Sequence, residues 1–218
     1  MSSASAARTL ARVQRGLEAL YRVETGIEID DFVVDGAMRD ELVSSRRARE
    51  QLLVCEDDGE LSFGLFIEPR VLDNLAAHDP GARLDDRNLG DFLLAVEGVS
   101  HFIYTAWCAR IDRPVSQLEL ELQAEVDKYI TCLLAMVPEP EVSATLRRRL
   151  FIDSVYEADL DGEERERYRA ANDNALRYAA WLEGRFVTRR RIPEMLAELR
   201  RFYRQGLAAK LSTIARAA

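Results

Sequence analysis

The stretch "QLLVCEDDGELSFGLFIEP", residues 51 to 69, limits the architectures open to this chain more than any other. Two β-prone runs flank "EDDGE", and Asp-Gly is a preferred two-residue turn between antiparallel strands. The segment therefore predicts a β-hairpin. "DFVVDG", residues 31 to 36, is short, β-branched and closed by a glycine, and it predicts one further strand. The rest of the chain reads as helix. The expected class is α+β, mostly α: a small antiparallel sheet with a β-hairpin, two long central helices and a C-terminal helical extension.

Helical spacing marks the elements. Leu10, Val13, Leu17, Leu20 and Tyr21 predict a first helix within residues 4 to 23. The pattern turns helical again from about residue 70, and "HDPGARLDDRN" is a polar, turn-rich link. A long helix should start near Asp86 or Asn88 and run to about Arg110, with Pro114 marking its end. A second long helix follows, opened by Pro114 and Ser116 with Glu119 in its first turn. Pro138 and Pro140 close it. Three more helices are expected: residues 140 to 156, one ending near Gly184, and a last one from Pro193 to the end. Pro138 to Pro140 is the best boundary, which predicts a core over residues 1–137 and a helical extension over 138–218 packed on that core.

Of the 218 residues, 48% are hydrophobic and 31% charged, a composition that forms a packed core. The net charge of −8 argues against non-specific nucleic-acid binding by the whole surface. The charge is uneven. Residues 181 to 218 hold nine Arg or Lys against three Glu, so that segment stands at +6 and the remainder at −14. Arg189, Arg190, Arg191, Arg201 and Arg204 are the candidate partner-binding residues there, for another protein or a second copy of the chain. Nucleic acid is a less favoured partner, because no zinc finger or RNA-recognition motif accompanies them. A membrane is not an expected partner: no run approaches 18 apolar residues, and the N-terminus lacks a secretory apolar core. Cys55, Cys108 and Cys132 form no CxxC and no short metal spacing, which points to reduced, buried thiols and a cytoplasmic location.

No G-x-G-x-x-G, G-x-x-x-x-G-K-[ST] or G-x-S-x-G occurs, so nucleotide-binding folds and serine hydrolases have no support. The chemistry-bearing feature is "AVEGVSHFIYTAW", residues 95 to 107, which sets Glu97 and His101 four apart on one helix face. Two ligands at that spacing can grip one ion. The next helix offers Glu121 and Glu125, again four apart, with Asp127 nearby. Glu97, His101 and Glu125 are therefore the candidate metal ligands, and the expected cofactor is either none or a single divalent metal. The plainer reading makes His101 a hydrogen-bonded core residue. A di-iron bundle is excluded, since it needs two Glu-x-x-His motifs and the chain has none.

The order helix, strand, hairpin, helix, helix, with "EGVSH" on the first long helix, resembles the core of gluzincin-type zinc metallopeptidases over residues 1 to 136. The resemblance puts Glu97 at the first histidine of HExxH, Gly98 at the catalytic glutamate and His101 at the second histidine. Glu125 in "LQAEVDKY" stands at the further glutamate ligand. It implies a zincin-like scaffold. Glycine at 98 cannot activate a metal-bound water as a general base, and a carboxylate at 97 makes the site harder and more anionic. The resemblance therefore implies a non-peptidase protein that uses the scaffold for binding, since a fold does not fix a function. A metal-dependent enzyme or metal-binding protein is the alternative. The binding reading also expects little loss of fold on mutating Gly98.

Overall fold

A computed structural model describes residues 2–42, 48–57, 60–153 and 160–217. The fold is α+β and mostly α, with a small three-stranded sheet. The chain divides into two units: residues 1–19 with 23–114, and residues 20–22 with 115–218. The division after Pro114 assigns the second long helix to the helical C-terminal unit, earlier in the chain than the expected boundary at residue 137.

In the first unit the elements are α1 (Ser2–Tyr21, its last residues counted with the second unit), β1 (Val33–Val34), α2 (Gly36–Leu42), β2 (Glu50–Asp57), β3 (Glu60–Ile67), α3 (Pro69–Ala77) and α4 (Leu89–Arg110). β2 and β3 pair antiparallel, with Leu52 opposite Leu65 and Val54 opposite Phe63. This is the hairpin the sequence predicts, although its turn residues Asp58 and Gly59 lie outside the described residues. β1 joins β3 on the other side and runs parallel to it, Val33 beside Leu65. The sheet is therefore mixed rather than antiparallel. A parallel neighbour needs a crossover connection, and the chain between β1 and β3 includes α2. Gly64 allows the close approach of β1: a Cβ there would stand 2.7 Å from Val34 Cγ1.

The core of this unit lies where the sheet meets α4. Phe32, Phe63 and Phe102 form a mutual cluster with ring centroids 5.2 to 5.4 Å apart. Val96, Val99, Phe102 and Ile103 of α4 and Leu65 of β3 are fully buried. α4 is apolar on most sides, as a core helix is. By length and composition α4 could also cross a membrane, but 72% of that window is buried inside the fold, the mark of a core helix. Arg49 fixes the start of β2. Its guanidinium contacts Glu68 at 2.8 Å and Asp91 of α4 at 3.0 Å, and its carbonyl accepts from the Glu68 amide at 2.7 Å.

Among the described residues, five helices build the second unit: α5 (Gln117–Ala135), α6 (Pro140–Arg147), α7 (Gly162–Leu182), α8 (Ile192–Tyr203) and α9 (Leu207–Ala217). Ser116 caps α5 through the Glu119 amide, as its position predicts. Asp161 and Glu164 make a reciprocal capping box on α7. A wider π turn extends α6 over Arg148–Ile152, and another extends α7 over Glu183–Val187. Residues 154 to 156 of the helix expected over 140 to 156 lie outside the described residues. The expected final helix is two helices. Gln205 donates its amide to Phe202 O, Gly206 follows, and α9 restarts with Lys210 N on Gly206 O. The Leu199 and Phe202 side chains turn inward, and Phe202 stacks on Tyr178 with centroids 4.1 Å apart.

A chain of buried polar groups crosses this unit. Lys210 Nζ donates to Gln123 Oε1 at 2.7 Å, and Gln123 Nε2 donates to Asp127 Oδ1 at 2.8 Å. The Tyr21 hydroxyl donates to the same Asp127 oxygen. Burial, followed by the Asp127 charge, pushes the Tyr21 phenol well above its ordinary pKa, so it remains a neutral donor. Tyr203 stacks on Tyr21 at 3.9 Å.

The thiols differ in accessibility. The expected burial holds for Cys108 and Cys132 but not for Cys55, which is exposed on the edge strand β2. Burial pushes the Cys132 thiol up to about 12. An Ellman titration of the native protein at mildly alkaline pH is expected to show one fast thiol, and three after unfolding in urea. A fast reaction of all three without urea would contradict this burial.

Candidate metal centre

α4 carries both helix-borne candidates. Glu97 and His101 sit one turn apart, Glu97 half-buried and His101 buried. Gly98 lies between them in sequence and is buried too. Its role is spatial. A Cβ at Gly98 would meet Glu50 Cγ at 2.9 Å, Leu65 Cδ1 at 2.9 Å and Glu50 Oε1 at 3.0 Å. Two neighbours, the first residue of β2 and a buried residue of β3, already fill the volume of the missing side chain. A side chain at residue 98 would force these neighbours to shift, so a cost in stability is expected on mutating Gly98 in place of little loss of fold.

Glu50 is the site residue that sequence reasoning missed. Its Oε1 lies 3.6 Å from His101 Nδ1, and both side chains are 9% exposed. The signal available was Gly98 itself, a glycine inside an apolar helix, which commonly marks close packing. What it makes room for comes from a distant strand and has no trace in local spacing.

Within the second unit, Glu121 and Glu125 lie one turn apart on α5. Glu125 pairs with Lys128 at 2.7 Å, and Glu121 lies 3.8 Å from Arg167 Nε. On α4, the candidate ligand atoms of Glu97 and His101 lie within 4.8 Å of each other. Glu125 belongs to the second unit, where Lys128 holds its carboxylate. A carboxylate and an imidazole are a mixed oxygen–nitrogen pair that can hold a divalent ion, through one hard oxygen donor and one borderline nitrogen.

Three of the basic residues singled out by sequence, Arg191, Arg201 and Arg204, are engaged locally. Arg191 pairs with Glu194 at 3.0 Å and Arg201 with Glu198 at 2.7 Å, each three residues apart. Arg204 donates to the carbonyls of Tyr21 and Arg22, both at 2.9 Å. Arg189 and Arg190 are exposed at the turn before α8, with Arg190 in a left-handed conformation. Of the other arginine clusters, Arg147 holds Glu183 at 2.8 Å and Arg148 holds Asp153 at 3.2 Å. Arg46 and Arg47 lie outside the described residues. Exposed pairs of this kind contribute little to stability.

No family model, no curated protein and no solved structure matches this chain.

Proposed function

We propose that this protein is a non-hydrolytic, cation-dependent binding protein, with Glu97 and His101 of α4 as its ligands to one divalent ion. The observation that carries the reading is that the ligand atoms of Glu97 and His101 lie within 4.8 Å of each other, one helical turn apart. The donor set suits zinc or manganese better than a soft metal, because it holds no thiolate. The absence of a carboxylate at Gly98 supports a binding role over peptide hydrolysis, since the residue that follows Glu97 on the helix has no group that takes a proton from water. The basic C-terminal helices support a protein partner over nucleic acid, because Arg191 and Arg201 already spend their charge on glutamates one turn away.

The test is metal content. Purified without chelator, the protein is expected to carry close to one equivalent of a divalent metal by elemental analysis. The His101→Ala variant is expected to lose it while keeping the far-ultraviolet dichroism of a helical fold. A ligand present at a hundred times its Kd stabilises a fold by about 2.7 kcal/mol, so added zinc or manganese should raise the melting temperature of the metal-free protein by several degrees. Wild-type protein that carries no metal, and whose melting temperature ignores both ions, would sink the reading.

A further inference from the structure

The carboxylate of Glu50 reaches His101 from the sheet, through the space that Gly98 leaves open. We propose that Glu50 is the positioning residue for His101: it holds the ring as the Nδ1–H tautomer and turns Nε2 toward the cation. The inference rests on the cation reading given above and deepens it.

Three observations converge. Glu50 Oε1 lies 3.6 Å from Nδ1, slightly longer than a hydrogen bond, and both side chains are nine-tenths covered. A neutral imidazole carries one N–H, so a carboxylate facing Nδ1 selects that nitrogen as the donor. Next, the glycine is required for the approach. Glu50 Cγ and Oε1 stand 2.9 and 3.0 Å from where a Cβ at residue 98 would be, so any side chain there displaces the carboxylate. Finally, the strand end that delivers Glu50 is anchored. Glu50 pairs with Ile67 in the hairpin register, and its neighbour Arg49 is held by Glu68 and Asp91.

Histidine ligands usually donate their second ring N–H to a carboxylate or carbonyl. Removing that partner lowers metal affinity by about 10- to 100-fold. In this fold the partner comes from β2 and is admitted by a missing side chain on the ligand helix.

The chain has two histidines, His78 and His101, so nitrogen-15 correlation spectra of the imidazoles resolve the ring directly. In the metal-free protein, with the ring neutral, His101 is expected to show the Nδ1–H tautomer. In Glu50→Ala it should become a mixture, and zinc affinity by calorimetry should fall about 10- to 100-fold. Glu50→Gln keeps an oxygen that accepts from Nδ1, so it should retain the tautomer and most of the affinity. Gly98→Ala keeps the carboxylate but wedges it away, and should resemble Glu50→Ala. An Nε2–H tautomer in the metal-free wild type would overturn the proposal, as would unchanged zinc affinity in folded Glu50→Ala. If the wild type binds neither zinc nor manganese, the cation reading fails alone: the tautomer of the metal-free protein still decides the role of Glu50.

Discussion

Replacing Lys210 with alanine is expected to destabilise the second unit by about 3–5 kcal/mol, the usual cost of removing one partner from a buried charged network. Lys210 is fully buried, as are Gln123 and Tyr21, and Asp127 is 1% exposed. The ammonium donates to Gln123 and lies 4.0 Å from Glu119 Oε1. Its removal takes the cation out of a chain that ends on Asp127 and Tyr21, and leaves buried acceptors in a low-dielectric interior. It also empties volume beside Phe202, whose ring centroid is 5.2 Å from Nζ. Lys210→Met should cost clearly less, because it restores volume and places a thioether against the ring. The check is urea unfolding followed by the fluorescence of Trp181, which packs against Tyr178 and Phe186 in this unit. An alanine variant within about 1 kcal/mol of wild type would show that the network adds no more than a typical neutral hydrogen bond.

Placing a carboxylate at residue 98 of α4 is expected to damage the fold. Gly98→Glu should cost about 3 kcal/mol or more, at the upper end of overpacking penalties. The new side chain must displace Glu50 and the fully buried Leu65, each of which has an atom 2.9 Å from where its Cβ would stand. It also adds a negative charge beside Glu50. Gly98→Ala sets a smaller clash against the roughly 0.5–1 kcal/mol that alanine gains over glycine inside a helix. Its net cost should be on the order of 1 kcal/mol. Trp107, on α4 of the first unit, reports the unfolding of that unit. A Gly98→Glu variant of wild-type stability would mean that the sheet end yields freely, and the proposed role of the glycine would go with it.

The sequence was most legible where the structure is local. The β2–β3 hairpin, the start of α5 at Ser116 and the end of α4 before Pro114 follow from turn chemistry, capping and proline placement. α2 was invisible because its seven residues bury no side chain, so no apolar periodicity marks it. The break between α8 and α9 was masked by apolar spacing that continues across it, from Phe202 to Leu207. Gly206 was the one signal for a stop. At the candidate site, Glu97 and His101 were readable from their spacing on one helix. Lys128 stands three residues after Glu125, in position to take its charge, and it does so at 2.7 Å. Glu50 was not readable at all. Its approach to Gly98 depends on how the sheet lies on α4, a long-range outcome that no window of sequence contains.

The strand order β1-β3-β2 also has a kinetic consequence. β2 and β3 are neighbours along the chain, and a hairpin of this kind closes in about 1–10 μs. β1 can dock only once β3 exists, and its pairing of Val33 with Leu65 must close a loop that contains α2 and all of β2. Non-local parallel pairing of this sort is late and slow. Glu50 sits at the hairpin end farthest from the turn, opposite Ile67, so it reaches its place when the hairpin finishes zipping. The carboxylate beside His101 would then be set before the sheet is complete, and destabilising β1 should slow folding without preventing assembly of the Glu50–Gly98–His101 contact.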